Sequence, residues 1–294
     1  MNRLEELLES EAYVLLDGAM GTMLIAAGLE AGNPTEVWNV LHPEKVRAVH
    51  RAYIDAGSRL ILTNSFGGNR LRLARHNLQA RSTELNRAAA ANARLEADSA
   101  PHLVVVAGSI GPTGELLQPV GSLTYDEAKS AFAEQSAALA EGGVDLIWIE
   151  TMSDLNEVRA AVEGTRSVCD LPVAATMTFD THGRTMMGVR PSKAVEALTD
   201  LTLMAVGANC GNGPQEIETV IETMRTVKPD TLLIAKANAG LPKRINRDIV
   251  YDGTPEVMAE YACHVRDLGA RLIGGCCGST PDHIRAMAKA LGTG

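Results

Sequence analysis

Eight short apolar runs, each followed by a stretch with helical spacing, constrain this chain more than any other feature. The runs cover residues 13–16, 59–63, 103–107, 145–149, 173–178, 203–208, 232–235 and 271–273. Most are nearly continuous in Val, Ile, Leu and Ala, the pattern of strands covered on both faces. Between them, residues 44–56, 71–98, 125–142, 155–168, 192–200, 214–227, 255–268 and 281–291 carry helical periodicity. Thr254 before Pro255 and Thr280 before Pro281 place a capping residue ahead of proline at a first helical turn. Thr124 with Glu127 three residues on is a capping box.

Eight strand–helix units predict an α/β fold, a closed parallel (β/α)8 barrel, in one domain over residues 1–294. The length of 294 residues suits it, since such barrels take ~250 residues. A doubly wound open sheet is the competing architecture. It favours a GxGxxG turn after the first strand, whereas Asp17-Gly18-Ala19-Met20-Gly21-Thr22 lacks that spacing. Aromatic residues make up only 3%, so aliphatic side chains must fill the core. A net charge of -9 offers no basic footprint for nucleic acid. No apolar stretch approaches the ~20 residues that cross a bilayer, and MNRLEELLES predicts an acidic helix, not a signal peptide. Five cysteines, an odd number, point to a reducing compartment and a cytoplasmic protein.

In such barrels chemistry sits at the C-terminal ends of the strands. There the chain places Asp17-Gly18, Thr63-Asn64-Ser65-Phe66, Glu150-Thr151, Asn209-Cys210-Gly211, Lys236 with Asn238, and Gly274-Gly275-Cys276-Cys277-Gly278. Cys210, Cys276 and Cys277 fall on one rim, from the sixth and eighth runs. Three thiolates suit Zn²⁺ and leave a fourth position for a substrate. Adjacent cysteines point to opposite faces of an extended strand, so both reach one ion only if the backbone turns around them. The flanking glycines permit that turn. A buried cysteine is otherwise a small hydrophobe, which is the reading adopted for Cys169 and Cys263. Glu150 and Asp17 are each either halves of structural ion pairs or substrate contacts. A carboxylate for an amine, with the N–H groups of Gly18, Ala19 and Gly21 for a carboxylate, would suit a zwitterionic amino acid ending in sulfur.

LLDGAMGTML (15–24), VGANCGNGP (206–214) and IGGCCGSTPDHI (273–284) resemble the homocysteine S-methyltransferase family. AGSRLILTNSF (56–66), AGSIGPTG (107–114), GGVDLIWIET (142–151) and KANAGLP (236–242) extend the likeness over nearly the whole chain. It is most similar to the homocysteine-binding barrel of cobalamin-dependent methionine synthases. The resemblance implies a zinc-dependent transfer of a methyl group to homocysteine, with zinc on Cys210, Cys276 and Cys277. It implies Glu150 on the homocysteine amine, and Asp17, Gly18, Ala19 and Asn209 as further substrate contacts. Asn238 matches a position whose oxygen completes the zinc shell without substrate. The donor is open: S-methylmethionine, or methylcobalamin or methylfolate on a separate corrinoid or folate protein. Betaine is disfavoured because Phe66 is followed by Gly67-Gly68-Asn69 and no aromatic cage is evident. Two other readings stand beside it. One is a zinc or Schiff-base lyase using Lys236, a lysine at a strand end. The other is a non-catalytic homocysteine-binding subunit of a larger complex. Arg70, Arg72 and Arg75 form either a solvated face or a docking surface, and residues 241–253 either a lid or a surface loop.

Overall fold

A computed structural model describes residues 2–245 and 248–292. The eight apolar runs become β1 (Val14–Leu15), β2 (Leu60–Leu62), β3 (Val105–Ile110), β4 (Leu146–Met152), β5 (Val173–Met177), β6 (Ala205–Cys210), β7 (Leu233–Ala237) and, after a two-stranded hairpin, β10 (Ala270–Gly275). All eight run parallel, each beside the next in sequence, with β10 between β7 and β1. A bridge from Leu16 to Leu60 joins the first strand to the second and closes the barrel. That seam is thin, because β1 has two residues. It is reinforced by Arg59 N–H to the Leu15 carbonyl at 2.8 Å and by Leu62 N–H to Asp17 Oδ2 at 2.7 Å. The fold is the (β/α)8 barrel that the alternation predicts.

The pleat explains the interior. Successive side chains of a strand face opposite ways. Val14, Leu16, Leu60, Leu62, Val105, Ala107, Leu146 and Trp148 fill the lumen, while Leu15, Ile61, Val106 and Ile147 between them pack under the helices. The N-terminal helix Arg3–Ser10 plugs the bottom of the lumen with Leu4 and Leu7, both fully buried. Burying two leucines contributes roughly 3–6 kcal/mol. Arg271 ties down the end of that helix through the carbonyls of Leu8, Glu11 and Ala12.

Helix starts follow the caps: Thr124 and Thr254 accept backbone N–H groups three residues on. Two stretches differ from expectation. The periodic stretch 71–98 is broken into Arg70–Leu73, two 3-10 turns and Ser82–Asp98. Asn77 ends the second of these pieces in the left-handed region (φ 59), which an Asn tolerates better than most residues. The segment 241–253 contains the antiparallel hairpin of β8 (Pro242–Ile245) and β9 (Asp248–Tyr251), with its turn at residues 246 and 247 outside the described residues. Among the described residues, no helix is long and apolar enough to cross a membrane.

Candidate metal and substrate site

The alternation that fills the lumen below also carries Ser109, Glu150, Thr176, Asn209 and Lys236 inward at its top, each two residues beyond an inward-facing position or further along the same face. Ser109, Glu150 and Lys236 form the polar floor of a cavity of about 260 Å³, whose walls include Asp17–Thr22, Thr63–Phe66, Thr151, Cys210, Cys276 and Cys277.

The three cysteine sulfurs converge within 4.8 Å of one another. Cys210 Sγ lies 2.9 Å from Cys276 Sγ and 4.0 Å from Cys277 Sγ. By the pleat alone Cys210 would face the helices, since Asn209 faces inward. Its φ of 62° breaks the strand there and brings the sulfur over the barrel end. On the other side, the Cys276 N–H still bonds the Ala237 carbonyl at 2.7 Å, as a strand residue would. The chain then turns: Ser279 N–H and Oγ both donate to the Cys276 carbonyl, and Gly278 has φ 78. A Cβ on Gly275 would overlap Ser279, and one on Gly278 would overlap the Tyr251 ring. Only glycine fits both places, which resolves how neighbouring cysteines face one point.

The sulfurs stand within hydrogen-bonding reach of one another. Bonds from Cys210 and then Cys276 hold Cys277 below the ordinary thiol range, while bonds with Cys276 and then Cys277, followed by burial, push Cys210 up. Three sulfurs converging on one point are a donor set suited to a thiophilic cation.

Asp17 and Lys236 form an ion pair of 2.8 Å, both side chains 3% exposed. The other Asp17 oxygen accepts the Leu62 N–H, so each of its oxygens already carries a bond within the protein. Burial alone would lower the Lys236 pKa, but Asp17 and then Glu150 hold it above the usual lysine value. Glu150 accepts a 2.5 Å hydrogen bond from Ser109. Burial pushes it up to about 7, against the lowering pull of Lys236.

The remaining expected residues take different places. Ala19 lines the cavity, but its N–H donates to the Ser279 carbonyl at 3.3 Å. Asn209 is fully buried and does not line the cavity, contrary to its expected role as a substrate contact. Its Oδ1 accepts from Thr151 N–H (2.8 Å) and the Thr176 hydroxyl (2.6 Å), and its Nδ2 donates to Thr151 Oγ1 (2.7 Å). Asn238 likewise braces the protein: Oδ1 accepts the Cys277 N–H at 3.0 Å and Nδ2 donates to the Gly211 carbonyl at 2.8 Å. It ties the two cysteine loops together, and the oxygen expected to complete a metal shell already holds that amide. Cys169 and Cys263 lie outside the cluster.

A family model described as homocysteine S-methyltransferase matches residues 14–291. The chain belongs to the homocysteine S-methyltransferase family. Methionine synthases of Mycobacterium leprae and Mycobacterium tuberculosis are 33% and 34% identical to it, over 97% and 96% of this chain. The chain spans 25% of the length of each. The homocysteine methyltransferase MmuM from Escherichia coli, in its metallated form, shares the fold with a TM-score of 0.83 at 25% identity, covering 98% of this chain and 99% of that one.

Within this family member, the residues that sequence reasoning missed are those that act on other site residues. Ser109 is the partner of Glu150, and Thr151 is held beside Cys210 in a left-handed conformation (φ 61). Tyr251 reaches the cluster from the hairpin, its hydroxyl beside Cys277. Ser109 falls within the matching stretch 107–114, but nothing in local spacing marks a hairpin tyrosine as a neighbour of Cys277.

Proposed function

We propose that this chain transfers a methyl group to the sulfur of homocysteine, using zinc held by Cys210, Cys276 and Cys277. The observation that carries the reading is the convergence of three thiols from two separate strand ends beside a buried Glu150 in one cavity. The donor set fits the ion: Zn–S bonds of ~2.3 Å set tetrahedral sulfurs ~3.8 Å apart, a spacing bracketed by the 2.9 Å and 4.0 Å separations from Cys210 Sγ to the other two sulfurs. Bound there, zinc supplies a thiolate form of the substrate sulfur at neutral pH, where a free thiol of pKa ~8.5 is mostly protonated.

The chain's own residues then bind and orient. Glu150 takes the homocysteine ammonium, which supplies the counter-charge that its buried carboxylate lacks. The turn at Asp17, Gly18 and Ala19 forms the wall for the carboxylate end. Asp17 acts indirectly by fixing Lys236, and Asn209 and Asn238 act by holding the cysteine loops. The whole chain serves as one homocysteine-binding barrel domain.

The cavity bears on the donor. Phe66 is the one aromatic ring among its lining residues, and the Arg72 guanidinium already stands 5.1 Å over that ring. A quaternary ammonium donor such as betaine finds no cage. S-methylmethionine, or a methyl group delivered by a separate corrinoid or folate protein, fits better. Relatives four times longer support the second source, with this chain as the homocysteine-activating part of an assembly. The Schiff-base reading loses support, because a nucleophilic lysine needs a lowered pKa and Lys236 is held charged by Asp17.

Zinc analysis of the purified chain and of a Cys210→Ser, Cys276→Ser, Cys277→Ser variant, followed by methionine formation with each donor class, tests the reading. Equal zinc in both proteins would defeat the site. Zinc binding without methionine from any donor would leave only a homocysteine-binding role.

A further inference from the structure

Asn209 has more polar contacts than its place in the chain requires. Its side-chain nitrogen carries two protons. One goes to Thr151 Oγ1 at 2.7 Å. The other faces two sulfurs, Cys210 Sγ at 3.5 Å and Cys276 Sγ at 3.7 Å, within reach of weak N–H···S bonds. These two cysteines come from different strands, and Asn209 is sealed from solvent, so no water competes for the donor. The oxygen end is fixed by Thr151 N–H and the Thr176 hydroxyl, which leaves the amide one orientation. Its oxygen must face donors and its nitrogen must face the sulfurs.

We propose that Asn209 is a positioning residue that draws negative charge from the Cys210 and Cys276 sulfurs and sets how strongly the cluster holds its metal. The proposal rests on the reading of Cys210, Cys276 and Cys277 as metal ligands. Three thiolates outweigh a divalent cation, so the loaded site carries net negative charge in a buried place. An N–H aimed at two of the sulfurs offsets part of that charge where no solvent can. A hydrogen bond to a ligand sulfur also stabilises its lone pairs, so electron transfer from sulfur to a bound metal takes more energy.

The same amide also clasps Thr151, a β-branched residue with φ 61, a strained conformation that needs support. A purely bracing role for Asn209 is therefore the competing explanation, and the two separate experimentally. Asn209→Ala removes the donor, and Asn209→Ser replaces the amide with a shorter hydroxyl that draws the donor back from the sulfurs. Thr151→Gly removes the strain that needs bracing. Thr176→Val takes a partner from the oxygen end and leaves the N–H···S contacts in place.

Each variant is loaded with zinc or cobalt(II), and folding is checked by circular dichroism. Zinc affinity is read by competition with a chelating dye, and the sulfur-to-cobalt charge-transfer band by absorbance. The Asn209 variants are expected to bind zinc ~10–100-fold more weakly, the range for outer partners of metal ligands, and to move the band to longer wavelength. Both effects should persist in the Thr151→Gly background, while Thr176→Val should leave the band in place. An unmoved band in the Asn209 variants, rescue by Thr151→Gly, or an equal shift in Thr176→Val would each overturn the proposal. Failure of the unaltered protein to take up either metal would instead overturn the metal reading on which it rests.

Discussion

Lys236 and Asp17 face each other at 2.8 Å across the lumen, 219 residues apart in the chain and almost wholly out of water. Each neutralises the other where neither could stand alone. The pair also holds the one lysine among the cavity residues in its charged form, and leaves Glu150 with one carboxylate oxygen beyond its bond to Ser109.

Breaking that pair from one side should be severe. Lys236→Met or Asp17→Asn leaves a buried charge unpartnered, which typically costs 3–5 kcal/mol. Denaturant unfolding of each single variant, and of Lys236→Met with Asp17→Asn, measures it. The double variant should lose less than the sum of the two. Additive losses would mean that the charges do not depend on each other. Incubation of the unaltered protein with a carbonyl compound and borohydride should leave its mass unchanged.

Glu150→Gln keeps the shape of the side chain and its place beside Ser109 while removing the charge. A hydrogen bond to a charged group is worth about 1.5–3 kcal/mol, so kcat/KM for homocysteine should fall ~10–100-fold. Zinc content should not change. A variant with unaltered homocysteine kinetics would remove Glu150 from the amine.

Single replacement of Cys210, Cys276 or Cys277 by serine should weaken zinc binding more than the ~10–100-fold expected when an outer partner of a metal ligand is lost. Cys169→Ser and Cys263→Ser should leave it unchanged, because neither sulfur joins the cluster. Metal titration of all five proteins gives the comparison.

His50 lies fully buried on the helix Pro43–Asp55, and neither ring nitrogen has a hydrogen-bond partner among the described residues. Burial alone lowers its pKa from 6.5 to about 4. The unfolded chain therefore binds a proton there that the folded chain refuses. Stability from this group is complete above the unfolded value and falls as the pH drops from about 6.5 towards about 4, by up to ~1.4 kcal/mol per pH unit. Thermal unfolding across that window should show the loss, and His50→Leu should flatten it. An equal slope in the variant would exclude His50 as its source.

Much of this was legible because it rests on periodicity and chemistry along the chain. Apolar runs locate strands, and Glu150 stands out as a charge at the end of one. Cys276-Cys277 among glycines signals a turn around reactive sulfur. What stayed hidden depends on groups brought together from afar or on one backbone angle. No local pattern shows that Cys210 and Thr151 take left-handed conformations, and those two angles aim the sulfur and the hydroxyl. Asn209 and Asn238 were expected to touch substrate or metal. Asn209 instead bonds Thr151 and Thr176 and turns its remaining N–H to the Cys210 and Cys276 sulfurs, and Asn238 bonds Gly211 and Cys277, partners that only the folded chain identifies. The break at Asn77 was missed because the residues around it keep helical spacing.

The Asp17 oxygen that accepts the Leu62 amide does the work of an absent ladder bond between the two shortest staves. One carboxylate thus both zips the cylinder shut and anchors the floor of its cavity. Remodelling for a new substrate cannot begin at that corner without unfastening the architecture. Change is therefore left to lining side chains such as Thr35 and Phe66, which make neither the bond to the Leu62 amide nor the one to Lys236.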